Sequence, residues 1–573
     1  MARTAAIGHQ DYETVRMNDY FYVDKTGFIK EWWDSGDIVT LITRPRRFGK
    51  TLNLSMTEKF FSTEYAGRKD LFEGMQIWDD DRFRALQGSY PVIFLTFAGL
   101  KDSTYLSARE HFCRTIEEIY NRYEYLTEGT LLNEKEKEYY RSVKADMDDS
   151  TAAVSLRNLS DYLCRYFGKK TIILLDEYDT PMQEAYVNGY RDEIVDFTRN
   201  LLNNTFKTNP YLERALMTGI TRVSRESVFS DLNNLRIVTT TTEKYETSFG
   251  FTEEEVAASL REFGLADRAD EVKQWYDGFT FGNTEDIYNP WSILNFLKEG
   301  KTAPYWANTS SNSLVGKLIR EGNGKVKEEF QMLLEGGAVR SEIDEQIVYD
   351  QLDMDESAIW SLLLASGYLA VKKVETIQSG YGDWKQVYTL KLTDFEVQVM
   401  FRRMVRNWFA PAASSYNGFL CAFLEGDVEA MNVFINRVAR GTFSFFDTAG
   451  DPEHAEPEKF YHGFVLGMMV ELSDKYRLTS NRESGFGRYD IMLMPYRDDL
   501  DAAVMEFKVF NPRKEKTLED TAENALKQIE EKEYVTELEE NGIPAERIRK
   551  YGFAFRGKEV LICCNRTAGS GKE

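Results

Sequence analysis

The sequence predicts an α/β fold, with parallel strands covered by helices, for most of its 573 residues. Two observations lead to this prediction. Short apolar runs alternate with longer charged stretches of helical pattern, which is the order typical of parallel strands joined by crossover helices. In addition, two of the apolar runs in the first half end in polar residues, and open α/β sheets bind ligands at that edge.

Composition narrows the class of protein. The hydrophobic content of 42% and the aromatic content of 14% predict packed interiors rather than a disordered chain. The net charge of -23 argues against nonspecific coating of nucleic acid, but it leaves room for a local basic groove or a metal-dependent site. We expect neither a membrane span nor a secretory signal, since no apolar run approaches the length required. The five cysteines are few and odd in number, and the four histidines are scattered, which argues against a zinc site; a cytoplasmic location fits.

The first element is an apolar strand at 39–42, followed by a tight turn and a helix opening at residue 52. This is the context of a phosphate-binding loop, in which the N–H groups at the helix start receive the anion. Gly49 allows close approach, Lys50 reaches the terminal phosphates, and Thr51 can ligate Mg²⁺. Arg44 stands where the usual motif has its first glycine, so a chance basic turn is the alternative. The candidate nucleotide-binding residues are Arg44, Pro45, Arg46, Arg47, Phe48, Gly49, Lys50 and Thr51.

A second apolar strand, at 171–176, ends in two carboxylates. We expect Asp176 to hold Mg²⁺, directly or through water, and Glu177 to act as the general base that polarises the attacking water. Alone, this pattern could equally be a core strand with an acidic turn. Its position downstream of the Gly-Lys-Thr loop favours the catalytic interpretation.

The remaining stretches predict four parts. Residues 1–247 form the phosphate-binding domain, with further strands at 90–97 and 214–221 and helices between 106 and 167. Residues 248–345 read as a helical lid, whose helices begin after Thr252 and run through Trp275–Gly278. Residues 346–412 give the order helix, two strands, helix, which suggests a winged-helix-like module. Residues 413–573 look like a separate α/β domain.

The last domain contains a candidate metal site on two neighbouring strands. Asp490 begins one strand, and Glu506 and Lys508 share a face of the next because residues two apart in a strand point the same way. If the strands are antiparallel, the two carboxylates meet and can bind Mg²⁺ or Mn²⁺. The cation would activate water, and Lys508 would hold the water or the developing charge, as in a phosphodiesterase.

The alternative is that these three residues form surface ion pairs on an ordinary hairpin. Taken alone, the pattern of these residues favours that alternative over a metal site. The strand around Glu506 and Lys508 is otherwise apolar on both faces, however, and buried charges are costly unless paired or metal-bound. The following helix brings Gln528 and Tyr534, which we expect to lean over the site.

The chain as a whole resembles the two-domain bacterial and archaeal proteins that join an N-terminal AAA-ATPase-like domain to a C-terminal PD-(D/E)XK-superfamily nuclease domain. The loop without its first glycine is a habit of that family. The segments that carry the resemblance are 22–26, 44–51, 175–181, 229–235, 275–279, 305–310, 460–463, 480–485, 487–490 and 506–508.

The resemblance implies ATP binding, and hydrolysis, at the first site and a nuclease core at the second. It places Thr218 as a polar sensor that also contacts the cofactor, with a capped strand end as the alternative. It implies a further glutamate at the second site, and Glu458 and Glu471 both remain open. Arg222 and Arg225 are candidates for contact with the γ-phosphate, in the same chain or across subunits.

Three functions follow as hypotheses. The first is an ATP-driven switch coupled to a Mg²⁺- or Mn²⁺-dependent nuclease, with DNA or RNA as the partner of the C-terminal domain. The second is an ATP-dependent regulator or scaffold whose C-terminal domain only binds. The third is an ATPase without a nucleic-acid partner. Protein partners and a homo-oligomer stay open, and no membrane partner is expected.

Overall fold

The computed structural model describes residues 2–221, 229, 232–307, 315–316, 318–319, 324–344, 355–378, 384–408, 413–442, 457–469, 472, 475–480, 483–484, 487–497 and 499–566. The chain divides into two compact units. The first comprises Met1–Leu318 and Ala338–Gln398, and the second comprises Ile319–Gly337 and Val399–Glu573. Within the described ranges, no helix combines the length and the apolar character needed to cross a membrane. The finer division at residues 247, 345 and 412 stays a prediction.

The described helices, numbered in chain order, are α1 (Tyr12–Met17), α2 (Gly27–Asp34), α3 (Lys50–Phe61), α4 (Asp81–Leu86), α5 (Tyr105–Arg122), α6 (Glu134–Ser142), α7 (Asp149–Phe167), α8 (Thr180–Asn188), α9 (Arg191–Phe206), α10 (Glu253–Glu262), α11 (Ala269–Tyr276), α12 (Pro290–Glu299), α13 (Gly324–Leu334), α14 (Glu356–Ala365), α15 (Phe395–Trp408), α16 (Ala413–Glu425), α17 (Val428–Thr442), α18 (Pro457–Met469), α19 (Leu518–Glu531) and α20 (Thr536–Glu540).

The described strands are β1 (Val39–Thr43), β2 (Val92–Thr96), β3 (Thr171–Asp176), β4 (Leu212–Gly219), β5 (Leu235–Val238), β6 (Phe251–Thr252), β7 (Asp277–Phe281), β8 (Thr284–Tyr288), β9 (Val339–Glu342), β10 (Leu369–Gln378), β11 (Trp384–Leu392), β12 (Tyr476–Ser480), β13 (Glu483–Ser484), β14 (Gly487–Arg488), β15 (Ile491–Pro495), β16 (Ala502–Val509), β17 (Ile548–Arg556) and β18 (Glu559–Arg566).

A five-stranded parallel sheet forms the centre of the first unit, in the order β2-β3-β4-β1-β5. Every residue of β1 and of β3 is buried, which explains why both strands read as continuous apolar runs. A core that includes Trp32, Phe60 and Leu174 packs against this sheet. The predicted parallel α/β fold is confirmed, and strand β4 lies between the strand of the Gly-Lys-Thr loop and the strand that ends in acids.

Helix α10 begins where the sequence predicts it. Thr252 is its N-cap, and Thr252 and Glu255 form a capping box, in which each side chain accepts a hydrogen bond from the other residue's backbone N–H. The Glu255 carboxylate also accepts hydrogen bonds of 2.7 Å from Lys25 Nζ. This ion pair ties the N-terminal segment to the start of α10.

The region that contains α10 and α11 is not purely helical. Strands β6, β7 and β8 form a small antiparallel sheet, so the helical prediction through Asp277 and Gly278 is wrong. Gly278 has φ of 143°, and a Cβ there would lie 1.7 Å from the carbonyl oxygen of Thr393. This close approach requires glycine and ends the helix at Tyr276.

Residues 355–408 follow the predicted order of helix, two strands and helix. Strands β10 and β11 pair antiparallel, and β9 adds to the other side of β11. Helix α14 precedes this hairpin and α15 follows it. The third strand, β9, comes from before α14, and the sequence interpretation did not include it.

The second unit contains a mixed five-stranded sheet in the order β12-β15-β16-β17-β18. Strands β15 and β16 are antiparallel neighbours, which is the condition under which the sequence predicts that Asp490 and Glu506 meet, while β16 and β17 run parallel. Helix α19 packs on this sheet through Ala522, with Ala554 of β17 in the same cluster. The predicted α/β architecture of the C-terminal region is confirmed.

Strand β18 is the edge of this sheet, and side-chain amides from α17 cover part of it. Asn432 accepts a hydrogen bond of 2.7 Å from the N–H of Ile562 and donates one of 2.8 Å to its carbonyl. Asn436 forms the same pair of bonds with Val560, at 3.0 and 2.6 Å. Asn432 and Asn436 are one helical turn apart, and this distance matches the spacing between Ile562 and Val560, which lie two residues apart on the edge strand.

Candidate functional site

The loop between β1 and α3 leaves the start of a helix open to a ligand. Gly49 is the N-cap, with φ of 79°, and it offers no side chain to cap the first N–H groups. Those groups and the helix dipole together suit an anion. Lys50 is buried, and its Nζ donates hydrogen bonds of 2.9 Å to the carbonyl oxygens of Arg44 and Pro45.

The electrostatics at Lys50 link the loop to the acidic strand end. Burial lowers the pKa of Lys50, and the negative charges of Glu177, Asp176 and Asp179 oppose that shift. These carboxylates therefore act on the ammonium group across the gap between β1 and β3. The sequence prediction that Lys50 and the acids share one edge of the sheet agrees with this arrangement.

Asp176 lies between two hydroxyl groups. Thr51 Oγ1 donates to its Oδ2 at 2.7 Å, and Thr218 Oγ1 donates to its Oδ1 at 2.6 Å. Burial raises the pKa of Asp176, although both hydroxyl bonds act in the opposite direction. The structure thus brings together Thr51 from the first turn of α3, Asp176 from the end of β3 and Thr218 from β4. A hydroxyl and a carboxylate in contact are donors that fit Mg²⁺.

Glu177 follows β3 in a left-handed backbone conformation, with φ of 51°. This conformation is uncommon for a residue other than glycine and marks a position that its surroundings enforce. Thr180 donates a hydrogen bond of 3.2 Å to its carboxylate. The side chain is half-buried at the strand end, next to Asp176.

The other side chains of the loop are used to hold it in place. Arg44 is fully buried, and its guanidinium donates to the carbonyl oxygens of Thr43 and Thr239 at 2.9 and 2.7 Å. Weaker bonds reach Lys244 and Tyr245 at 3.3 and 3.4 Å. The N–H of Arg44 donates to the carbonyl oxygen of Gly219 at 3.1 Å, so both the side chain and the main chain of Arg44 hold the loop to the sheet, which differs from the nucleotide-binding role that its place in the loop suggested.

Aromatic residues from the small β7–β8 sheet and α12 cover the loop. Phe48 packs edge-on against Phe279 and Phe281, with ring centres 4.7 and 5.3 Å apart. The guanidinium of Arg47 lies over the ring of Trp291 at 4.3 Å. The carbonyl of Arg46 accepts a hydrogen bond of 3.3 Å from the side chain of Asn289, which is the N-cap residue of α12. The remaining loop residue, Pro45, approaches Gly367.

Asp179 is a residue of this site that sequence reasoning missed. It is buried, and its Oδ2 accepts hydrogen bonds from the N–H groups of Ile220 and Thr221 at 3.0 and 2.8 Å, and from the Thr221 hydroxyl at 2.8 Å. It therefore fastens the chain just beyond β4 to the end of β3. Arg222 and Arg225, the candidates for the γ-phosphate, lie outside the described residues. The sequence signal for Asp179 was its place as the third acid in the run that begins with Asp176.

The second predicted site lies on β15 and β16. Ile491 pairs with Met505, so Asp490, one residue before β15, comes level with Glu506. Asp490 Oδ2 accepts a hydrogen bond of 2.7 Å from the N–H of Phe507. Glu506 is 4% exposed, so its carboxylate lies in the interior of the domain.

Gln528 of α19 joins the other two groups of this site. Its Oε1 accepts a hydrogen bond of 2.6 Å from Lys508 Nζ, and its Nε2 donates to Glu506 Oε1. The same Nε2 reaches the hydroxyl of Tyr534 at 3.1 Å. Burial raises the pKa of Tyr534, and the charges of Glu506 and Asp490 add to that rise. Gln528 and Tyr534 thus lean over the site, as the sequence suggested, but Tyr534 lies beyond the end of α19, which the sequence interpretation extended to include it.

His462 is a second residue that sequence reasoning did not assign. It is 3% exposed, and its Nε2 lies 3.0 Å from the carbonyl oxygen of Asp490. Its ring also packs against Phe507. His462 thereby holds the strand start that presents Asp490. Glu471 lies outside the described residues, and so does the side chain of Glu458, so the choice between them stays open.

Each of the two sites contains few side chains that could bind a metal ion. Among the residues that the structure describes, no group of three or more His, Cys, Asp and Glu side chains is placed to hold a metal ion. At the second site the oxygen donors are the carboxylates of Asp490 and Glu506. The negative charges of both raise the pKa of the same Tyr534 hydroxyl. A pair of carboxylates suits a hard divalent cation whose other ligands are water and substrate.

Comparison with known proteins identifies a family for each of two regions of the chain. Residues 6–229 match the AAA-ATPase-like family, described as "Predicted AAA-ATPase", and residues 456–565 match the PD-(D/E)XK nuclease superfamily. An "Uncharacterized protein in vnfD 5'region" of Azotobacter chroococcum mcd 1 is 25% identical over 554 residues, which is 94% of each chain. The resemblance inferred from the motifs is confirmed for both domains. The chain therefore joins an AAA-ATPase-like domain of a nucleotide-binding family to a nuclease-like domain of the PD-(D/E)XK superfamily.

Proposed function

We propose that the protein binds and hydrolyses ATP in its first unit and uses that reaction to control a metal-dependent nuclease in its second. The observation that supports this most strongly is the cluster of Asp490, Glu506 and Lys508 within one domain of a nuclease superfamily. The contact of Thr51 and Thr218 with Asp176 gives matching support for the nucleotide site.

At the first site, the proposed roles follow from the contacts. The N–H groups at the start of α3 and the ammonium of Lys50 bind the phosphates of ATP. Thr51 and Asp176 would hold Mg²⁺, which supplies positive charge to the terminal phosphates. Glu177 orients and deprotonates the attacking water, and Thr218 keeps Asp176 in position. Lys50 exchanges its carbonyl partners for phosphate oxygens when the nucleotide binds.

At the second site, Asp490 and Glu506 would hold Mg²⁺ or Mn²⁺, which lowers the pKa of a bound water and neutralises the phosphodiester. Lys508 stabilises the negative charge that develops on the phosphate. Gln528 holds Lys508 and Glu506 at a fixed separation through the two ends of one amide. Burial of Glu506 strengthens its interaction with any cation, because the surrounding dielectric is low.

The same amide supports a second candidate function. Gln528 occupies both Lys508 Nζ and Glu506 Oε1, as it would in a domain that binds nucleic acid without cutting it. In that case the protein is an ATP-dependent regulator. Cleavage assays separate the two functions because only the nuclease requires these side chains for turnover.

The nuclease is tested with the full-length protein on single-stranded DNA, double-stranded DNA and RNA, with Mg²⁺ or Mn²⁺. We expect cleavage by the wild type and its loss in Glu506→Ala and Lys508→Ala. Glu523→Ala and Lys527→Ala are matched controls, since both side chains are exposed on α19. Binding without cleavage by the wild type would favour the regulator, and cleavage that survives Glu506→Ala would refute the site.

Coupling is tested by adding ATP to the same assay. We expect ATP to change the cleavage rate of the wild type and to leave that of Lys50→Ala unchanged. Lys69→Ala, which removes an exposed lysine of the same unit, should behave like the wild type. An identical response of Lys50→Ala and wild type would exclude control through the proposed nucleotide site.

A further inference from the structure

A groove of about 740 Å³ lies within the second unit, away from Asp490 and Glu506. One wall is α17, the other is the N-terminal end of α19, and the floor is the turn between β17 and β18. Four basic side chains line it, against two acidic ones. The basic residues are Arg437, Arg440, Lys516 and Arg556, and the acidic residues are Glu519 and Glu559.

The groove keeps an excess of positive charge, because three cations remain against the single carboxylate of Glu519 once Arg556 and Glu559 are paired. Arg556 pairs with Glu559 at 2.6 Å, and this pair accounts for one cation and one anion. In the part of the chain that the structure describes, Arg437, Arg440 and Lys516 form no salt bridge, and all three are exposed. The helix end is closed by the capping box of Thr517 and Asp520, so the attraction for an anion comes from the side chains.

The groove differs in charge from the rest of the protein. The protein carries a net charge of -23, so a polyanion is repelled by most of its surface. Charges farther than about 8 Å are largely screened at physiological salt, so the local cluster decides what binds in the groove. A long anion with regularly spaced charges gains from several such cations at once, whereas a single phosphate gains from one or two.

The groove and the proposed nuclease site lie at different positions along the same pair of strands, β16 and β17. Glu506 pairs with Gly552 of β17, and Arg556 lies four residues farther along that strand. At about 3.3 Å per residue this separation is roughly 13 Å. In duplex DNA, where each strand carries one phosphate per 3.4 Å of axis, it spans about four base pairs. Phe510, which directly follows β16, lies under the guanidinium of Arg556 at 5.3 Å.

We propose that this groove binds the phosphate backbone of the nucleic acid that enters the second site. The proposal rests on the nuclease function proposed above and extends it, because it names the surface that holds the strand beyond the cut. Arg437, Arg440 and Lys516 contact successive phosphates without reading the bases. Binding therefore depends strongly on salt and weakly on sequence.

The test measures, by fluorescence anisotropy, the affinity of labelled single-stranded and duplex oligonucleotides for the full-length protein in the absence of divalent metal. In the triple variant Arg437→Ala, Arg440→Ala and Lys516→Ala, we expect affinity at about 0.1 M salt to fall on the order of tenfold or more, and the slope of log affinity against log salt to fall by about three. The matched control is Arg477→Ala, Arg497→Ala and Lys527→Ala, which removes the same charge from exposed positions outside the groove.

The outcomes separate this proposal from the nuclease function. A wild type that binds but does not cut, with binding lost in the triple variant, supports the groove and refutes the nuclease. A wild type that cuts, together with a triple variant that binds like the control, overturns the groove and leaves the nuclease. Binding of tripolyphosphate but of no oligonucleotide would also overturn it, since a free phosphate ligand would then be the occupant.

Discussion

Arg44 stands at a loop position where glycine is usual, yet its buried guanidinium contacts four main-chain carbonyl oxygens. Burial lowers the pKa of Arg44 to about 9. Removing a buried donor leaves its acceptors unsatisfied, which costs about 1–3 kcal/mol for each group. The residue therefore contributes to the stability of the first unit rather than to contact with a ligand.

We predict that Arg44→Gly, which restores the common motif, lowers the free energy of unfolding by about 3 kcal/mol or more and does not strengthen ATP binding. Denaturant unfolding followed by tryptophan fluorescence measures the first effect. The matched control is Arg47→Gly, because Arg47 has φ of 67°, a conformation that glycine adopts readily. Equal stability of Arg44→Gly and wild type would contradict this account.

Glu396 is a buried carboxyl group whose ionisation opposes folding. Its oxygens accept hydrogen bonds from Ser292 at 2.7 Å and from the N–H of Ala307 at 3.0 Å. Burial raises the pKa of Glu396 to about 7. Burial, and then the charge of Glu396, raise the pKa of nearby Asp394, and burial with the charge of Asp286 raises that of Asp277 to about 6.

These raised pKa values predict that the first unit loses stability as pH rises from about 5 to about 7. In that range the folded protein keeps protons that unfolded carboxyl groups, with pKa near 4, have released. Glu396→Gln should flatten the decline, which the denaturant midpoint across pH measures. Glu243→Gln, at an exposed position, should leave it unchanged. A midpoint that rises over this range would contradict the assignment.

At the scale of elements, the position of α19 on β17 depends on one glycine. A Cβ at Gly552 would lie 2.3 Å from the carbonyl oxygen of Ala522 and 3.0 Å from the side chain of Leu526. Helix α19 would have to move away from the sheet. Because Gln528 belongs to the same helix, the amide that joins Lys508 to Glu506 would move with it.

We predict that Gly552→Ala lowers the stability of the second unit by about 1–3 kcal/mol and abolishes cleavage, as expected for overpacking against a backbone. Far-UV circular dichroism and the cleavage assay measure the two effects. Gly99→Ala is the control, since its methyl group meets only the His111 ring, at 3.7 Å. Normal cleavage by Gly552→Ala would show that α19 does not position the site.

Elements set by local signals could be predicted from the sequence, and elements set by distant pairing could not. The buried strands β1 and β3 and the capping box of α10 are encoded in adjacent residues. Strands β5, β6 and β9 are short, and they exist because they pair with strands far away in the chain. The same distinction applies to the sites. The contact of Thr51 with Asp176 follows from two motifs, whereas three of the four carbonyl partners of Arg44 lie about 200 residues away.

At the scale of the molecule, the tryptophans are distributed unevenly. Eight of the nine belong to the first unit, and only Trp408 belongs to the second. Tryptophan emission therefore reports almost entirely on the unfolding of the first unit. Far-UV circular dichroism reports on both units, so the two signals together separate the stability of one unit from that of the other.

This distribution gives a direct test of nucleotide binding. We predict that ATP with Mg²⁺ raises the unfolding free energy seen by tryptophan emission, by about 2.7 kcal/mol when the ligand is 100-fold above its Kd. Lys50→Ala should abolish the shift, and Lys69→Ala should keep it. The same transition in wild type with and without ATP would exclude a nucleotide site in the first unit.

The amides of Asn432 and Asn436 have a consequence for assembly. An open sheet margin is a template on which a foreign polypeptide can add itself and start a fibril. Here a helix supplies the missing partners of Val560 and Ile562 from its own side chains. An incoming chain would first have to displace α17, so pairing between copies of the protein at this margin requires the loss of four hydrogen bonds within the second unit.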